Sequence, residues 1–257
     1  APRARAALPT GLLDNSTSAV DQIPVIYGSR RVGGTRVFTE TSDGLQLEQE
    51  LLHVVLALAE GEISAINTIY IDDVSSDNSR FSGLVTIEKY VGTDDQAASQ
   101  ALIDAITLQA SPAEIGNWTA SHRGRGIAYA YIKLQWNQNA FNTFPTLTFD
   151  VDGKKVWDPR VAGSPDTVAF SDNPALCVLD FLMNSRYGWG IEQSKIDIQS
   201  FRDAANYCDQ LVSVPDSASP SFRLARVSPT YRSAPCLRRS SRRQRLWRRR
   251  TRGCIAR

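Results

Sequence analysis

With 257 residues, 42% hydrophobic and 22% charged, the chain carries enough apolar material for a sizeable core in one large or two small domains. No window approaches 18 uninterrupted apolar residues and the first residues lack a signal-like apolar stretch, so membrane spans and secreted disulfide scaffolds are not expected, and synthesis in the cytoplasm is. The net charge of +2 hides a division: residues 221–257 hold 13 of the 29 Lys and Arg residues and no acid, leaving 16 basic against 27 acidic residues in 1–220, a net of −11.

Residues 1–22 are small and polar without period and read as an arm. A strand is expected over Ile23–Gly28, a glycine turn over Ser29–Gly34 and a return strand over Thr35–Thr41, together a hairpin. Gly28, Gly33 and Gly34 match neither GxGxxG nor GxxxxGK, so a turn is expected there rather than a phosphate loop.

The longest apolar run, Leu51–Leu58, is interrupted only by His53 and suits a strand covered on both faces, although so short a run leaves a helix over Leu51–Glu60 open. Beyond Gly61, which tolerates positive φ, the pattern alternates, with Ile63, Ala65, Asn67, Ile69 and Ile71 on one face. Residues 51–73 therefore read as two strands and a tight turn.

Leu84–Val91 alternates as a further strand. A helix capped by Asp94 or Asp95 is expected over Ala97–Leu108 until Ser111-Pro112, making 81–125 an inserted α/β piece. Gly126–Trp136 alternates for eleven residues and predicts an amphipathic strand. Phe141–Val151 predicts another, with Asp152-Gly153 turning into Lys155–Trp157. From Ser171 the period becomes helical. Asn173-Pro174 opens one helix with Ala175, Leu176, Leu179, Leu182 and Met183 inward, Arg186–Gly190 breaks it, and Asp197–Val212 forms the second. The fold class is α+β, predominantly antiparallel β in a barrel or sandwich over 23–170, with a two-helix unit over 171–220.

Chemistry-bearing residues are sparse. Glu60 and Glu62 flank the glycine turn and are the acids a glycosidase-like hydrolase would use, but they read as solvated turn residues. His53 and His122 have no metal-ligand spacing. The pairs Asp72-Asp73 and Asp94-Asp95 fit turns or caps better than a cation loop, and Asp150, Asp152 and Asp158 are expected along strand ends without converging. Cys177, Cys208, Cys236 and Cys254 include no CxxC pair, and Cys177 and Cys208 are expected on or beside apolar helix faces. No catalytic, cofactor or metal residue is assigned.

Several stretches, IPVIYGSRRVGG, AEGEISAINTIYIDD, GIAYAYIKLQWNQNAFNTFPTLTFDVDGKKVWD and SDNPALCVLDFLMNSRYGWGI followed by FRDAANYCDQ, span about residues 23–212. In that order they resemble the tail-tip hub proteins of long-tailed bacteriophages, the family of the tip attachment protein J of lambda-like phages. The resemblance implies a structural virion protein without enzymatic activity. It would form a homotrimeric ring that caps the tail tube, conducts phage DNA, and contacts the distal tail protein and the tape measure protein. Host receptors would be met through regions absent from this sequence. Residues 221–257 depart from the family: arginine without lysine or acid, and no apolar period, suggests an out-of-frame or disordered tail, with a nucleic-acid-binding arm as the alternative.

Overall fold

The computed structural model describes residues 13, 15–17, 22–43, 50–107, 118–141, 143–163 and 165–210, with the backbone of 212–214 and 223–225. The chain divides into two units, Ala1–Gln210 and Leu211–Arg257. Most of the arm and of the arginine-rich stretch lies outside the described residues.

The first unit is two antiparallel sheets packed face to face. One has four strands in the order Thr35–Ser42 (β2), Leu51–Glu60 (β3), Ile127–Gln135 (β7), Val85–Tyr90 (β6). The other runs Ser29–Val32 (β1), Leu147–Trp157 (β8), Ile63–Ile71 (β4), Val74–Ser75 (β5), with Val168–Phe170 (β9) paired to the far end of β8. This is the expected α+β, mainly antiparallel architecture in its sandwich form. Between the sheets lie Val54, Leu56 and Leu58 of β3, Ala130, Ile132 and Leu134 of β7, Ile66, Ile69 and Ile71 of β4, and Leu147, Phe149 and Val151 of β8. Each fully buried branched or aromatic side chain contributes about 1.5–3 kcal/mol.

β3 is apolar on both faces because both are covered. Its other face, Val55, joins Tyr129 and Tyr131 of β7 beneath Leu102 and Ile106 of helix α1, Gln100–Thr107. The same cover explains β7, whose alternation is not of buried and exposed residues. It is of small and aromatic ones: Ala128 and Ala130 face the sandwich core while Tyr129 and Tyr131 face the helix, and all four are buried. Both Leu51–Glu60 and Ile63–Ile71 are strands, which excludes the helical alternative.

Neither expected hairpin forms. β1 pairs with β8 and β2 with β3, so Gly33-Gly34 carries the chain from one sheet to the other. β3 pairs with β2 and β7 and β4 with β5 and β8, so Gly61 is a second crossing. Its backbone N–H donates to Gly126 O at 2.8 Å and its φ of +86° is the left-handed region that favours glycine. In β4 the ladder shifts between Ile66 and Ile69, a bulge that puts Ile66 rather than Ala65 and Asn67 into the core.

Three boundaries also differ. Residues 22–28 form no strand, although Ile26 O accepts from Lys154 N at 2.7 Å and Pro24 O from Glu60 N at 2.9 Å. β8 runs straight through Asp152-Gly153. The glycine serves close approach rather than a turn, since a Cβ there would collide with the Ile26 carbonyl. The helix start is capped by Ser99, whose Oγ accepts from Leu102 N at 3.1 Å, not by Asp94 or Asp95.

Both expected helices form, the second shorter than expected and with Ala205 as its buried residue. Asn173 caps Pro174–Met183 (α2) through Ala175 N at 3.0 Å, and Asp197 caps Ile198–Cys208 (α3). α3 stops before Val212 and leaves Cys208 exposed, whereas Cys177 is half-buried. Leu176 and Ala205 bury against Val156 of β8. In the second unit Val212–Val214 (β10) pairs antiparallel with Arg223–Ala225 (β11).

Candidate functional site

Glu60 and Glu62 diverge at the crossing between sheets. The Glu60 carboxylate accepts from Arg186 Nε in the break after α2, and Glu62 accepts from Lys155 Nζ at 2.5 Å. Each acid is tied to a different base, so their shared position beside Gly61 does not give them a shared cleft.

His53, on the helix-covered face of β3, is 1% exposed. Its Nε2 is 2.7 Å from Ser42 Oγ and its Nδ1 2.8 Å from Tyr131 OH, linking β2, β3 and β7. Burial, aided by the Lys133 charge, pushes the imidazole down to about 4, so it is neutral near pH 7. A neutral ring needs one donor and one acceptor, and the two hydroxyls can supply both whichever tautomer is present. The serine–histidine pair resembles an activated nucleophile, but Ser42 is itself 5% exposed and no substrate can approach it. His122 sits on an exposed loop, its Nδ1 accepting from Thr119 N at 3.0 Å and its ring stacked on Trp118.

The acidic residues are held separately. Asp72 and Asp73, with φ of 48° and 62°, make the turn between β4 and β5; Asp72 accepts from Thr146 N at 2.8 Å, and Asp73 lies 3.5 Å from Arg31. Asp94 and Asp95 are exposed turn residues. Asp150 and Asp152 lie mid-strand on one face of β8 rather than at strand ends. Asp150 accepts from Arg31 Nε at 3.1 Å and Tyr70 OH at 2.9 Å, Asp152 from Ser29 Oγ at 2.5 Å and Asn67 Nδ2 at 3.0 Å. Arg160 bridges Asp158 and Asp209 at 2.7 and 2.8 Å, fastening the end of β8 to α3, and its hydrogen bonds hold Asp158 below the usual carboxylate range. Among the described residues no three His, Cys, Asp or Glu side chains are placed to hold a metal ion.

Sequence reasoning missed the cluster that joins the helices to the sandwich. Asp180 of α2 receives Lys154 Nζ at 3.0 Å on both oxygens, Tyr27 OH at 2.5 Å and Tyr187 OH at 3.1 Å, and Lys154 also donates to Tyr187. Burial alone would lower the Lys154 ammonium, but hydrogen bonds to Tyr187 and Asp180 outweigh it and the net direction is upward; burial and Asp180 raise Tyr27 as well. The four residues come from positions 27, 154, 180 and 187, a separation no spacing rule reveals. The available signal was Tyr187 inside the Arg-Tyr-Gly-x-Gly break.

Two further surface features among the described residues are apolar. Helix α2, PALCVLDFLM, has one charged residue, Asp180, turned into that cluster, and its outer face leaves Val178 51% and Phe181 38% exposed. Trp189, whose N–H donates to Phe181 O at 3.2 Å, is 72% exposed. At the opposite end of β3 a groove of about 210 Å³ is lined by Leu52, Leu134, Trp136, Phe141, Phe144 and Pro145, among others.

No protein-family model matches the sequence. Over 236 residues the chain is 23% identical to the baseplate hub protein pb3 of Escherichia phage T5, covering 73% of this chain. A chain from the virion of a native gene transfer agent particle aligns over 75% of this chain and 40% of its own length, at 21% identity and a TM-score of 0.41. The chain spans about a quarter of the length of pb3, 24%, so it is similar to a part of that hub protein.

Proposed function

We propose that this chain is a structural component of a phage-type virion, part of the hub at the tail tip or baseplate. The observation that carries the reading is the similarity to the T5 baseplate hub protein over 236 residues. The residues support it. The acids a hydrolase would need are spent in separate ion pairs, and the polar clusters fasten elements together. In this reading three copies form a ring that caps the tail tube, passes phage DNA, and meets the distal tail and tape measure proteins. The net charge of −11 over residues 1–220 suits such a conduit, since an acidic wall does not retain phosphate by ion pairing.

Light scattering on the purified chain tests this, with an expected mass three times 28.3 kDa. A three-fold averaged image of the particle's tail end should place the sandwich around the channel. A monomer that cleaves peptidoglycan, or a lumen lined with Arg and Lys, would overturn the reading.

A further inference from the structure

We infer that the Gly33-Gly34 crossing holds a docking slot for an extended peptide carrying an asparagine, filled here by Asn15 and Ser16 of the chain's own arm, and that the arm is a detachable ligand of that slot.

The slot is a gap in a ladder. β1 pairs with β8 in a register running from Ser29 opposite Asp152 to Val32 opposite Phe149, so two residues further on Gly34 would face Leu147. Gly34 has instead turned away, at φ +77°, against β3, where a Cβ would meet Leu58 and the Ala57 carbonyl. On that side Leu147 has no β1 residue to pair with. The Asn15 carboxamide takes the empty place: Oδ1 accepts from Leu147 N at 2.8 Å, and Nδ2 donates to Leu147 O at 2.7 Å and to Gly33 O at 2.5 Å. A carboxamide is the same chemical group as a peptide unit, so this side chain supplies the bonds that the Gly34 backbone would have made. Ser16 O then accepts from Arg36 N at 2.8 Å, in a parallel bridge to Thr35 of β2. Two successive arm residues thereby hold one strand of each sheet.

The slot does not depend on its occupant. Val32, Leu147 and Phe149, which surround it, are buried, and β8 is held by β1 on one side and β4 on the other. Of the described arm residues, Leu13, Asn15 and Ser16 are half-buried, Thr17 is exposed, and none belongs to the apolar core. A strand edge with unpaired N–H and C=O groups is a template for an added segment, whose main-chain bonds hold it while one side chain sets its register. Selectivity follows from the donor count. Both amide hydrogens and the oxygen of Asn15 are used, whereas an aspartate has no donor and would set its charge against two carbonyl oxygens.

Amide exchange in the full chain tests this, read at Leu147 and Arg36, whose N–H groups donate to Asn15 and to Ser16. Asn15→Asp should speed exchange about tenfold or more at both, with Ile132 in the sandwich core unchanged. Asn15→Ala, which brings in no charge, should do the same. A synthetic peptide of residues 11–19, GLLDNSTSA, added to either variant should restore protection at both amides as its concentration rises, and the same peptide with aspartate in place of asparagine should not. Protection of Arg36 that survives both substitutions would show that Asn15 does not hold the arm and would overturn the slot. Lost protection that no amount of peptide restores would make the arm a fixed part of the fold, and equal rescue by the aspartate peptide would remove the selectivity. Either result defeats the inference.

Discussion

Lys154 and Asp180 form a chelated pair, the ammonium lying 3.0 Å from each carboxylate oxygen, with side chains only 20% and 16% exposed. β8 supplies one partner and α2 the other, so this pair, rather than apolar contact alone, sets where the helical unit sits on the sandwich. Among the described residues Val156, Leu176 and Ala205 form the buried apolar seam there, with Tyr27 and Ala175 packed against it.

Removing one partner strands the other. Lys154→Met should cost about 3 kcal/mol in urea unfolding, and Lys154→Met with Asp180→Leu should recover part of it, because an apolar pair of similar volume avoids the desolvation of two charges. The folded pKa of Lys154 is raised, so its contribution is complete below the ordinary lysine value and lost as pH rises through the folded value. Wild-type melting temperature should therefore fall in the alkaline range more steeply than that of Lys154→Met. Parallel curves would show that the pair does not govern the alkaline limb.

His53 sets the acid limb. Its folded pKa of about 4 lies below the ordinary 6.5, so the unfolded chain binds the proton first and stability is lost as pH falls from 6.5 towards 4. The full effect is roughly 3 kcal/mol, at about 1.4 kcal/mol per pH unit. His53→Gln should lower stability at pH 7 and flatten the dependence between pH 6.5 and 4, read from denaturant midpoints. An unchanged slope would mean that other groups carry it.

Glycine substitutions separate crossing from close approach. Gly61 has positive φ but open space around it, so Gly61→Ala should cost about 1 kcal/mol, the ordinary penalty of a left-handed residue. Gly153→Ala drives a methyl into the Ile26 carbonyl and should cost about 1–3 kcal/mol while freeing residues 22–28 from β8. Amide exchange at Lys154, whose N–H donates to Ile26 O, reports that release.

Local patterns in the sequence determined most of the elements. The helical period of 174–183, Asn173-Pro174 at its start and the alternation of 127–135 depend on neighbours a few residues away, where backbone geometry and capping act. The doubly apolar run of β3 suited a strand covered on both sides but left a helix open, and only the cover by the second sheet and α1 decided between them. What only the tertiary structure decided was partnership. A turn glycine looks the same whether its strands pair or part, so Gly33-Gly34 and Gly61 read as hairpins although both join different sheets. Gly153 read as a turn because the Ile26 carbonyl that demands it lies 127 positions away. Tyr27, Lys154, Asp180 and Tyr187, and Ser42, His53 and Tyr131, meet only because non-local packing brings distant strands and helices together, and no periodicity encodes a contact made between separate elements.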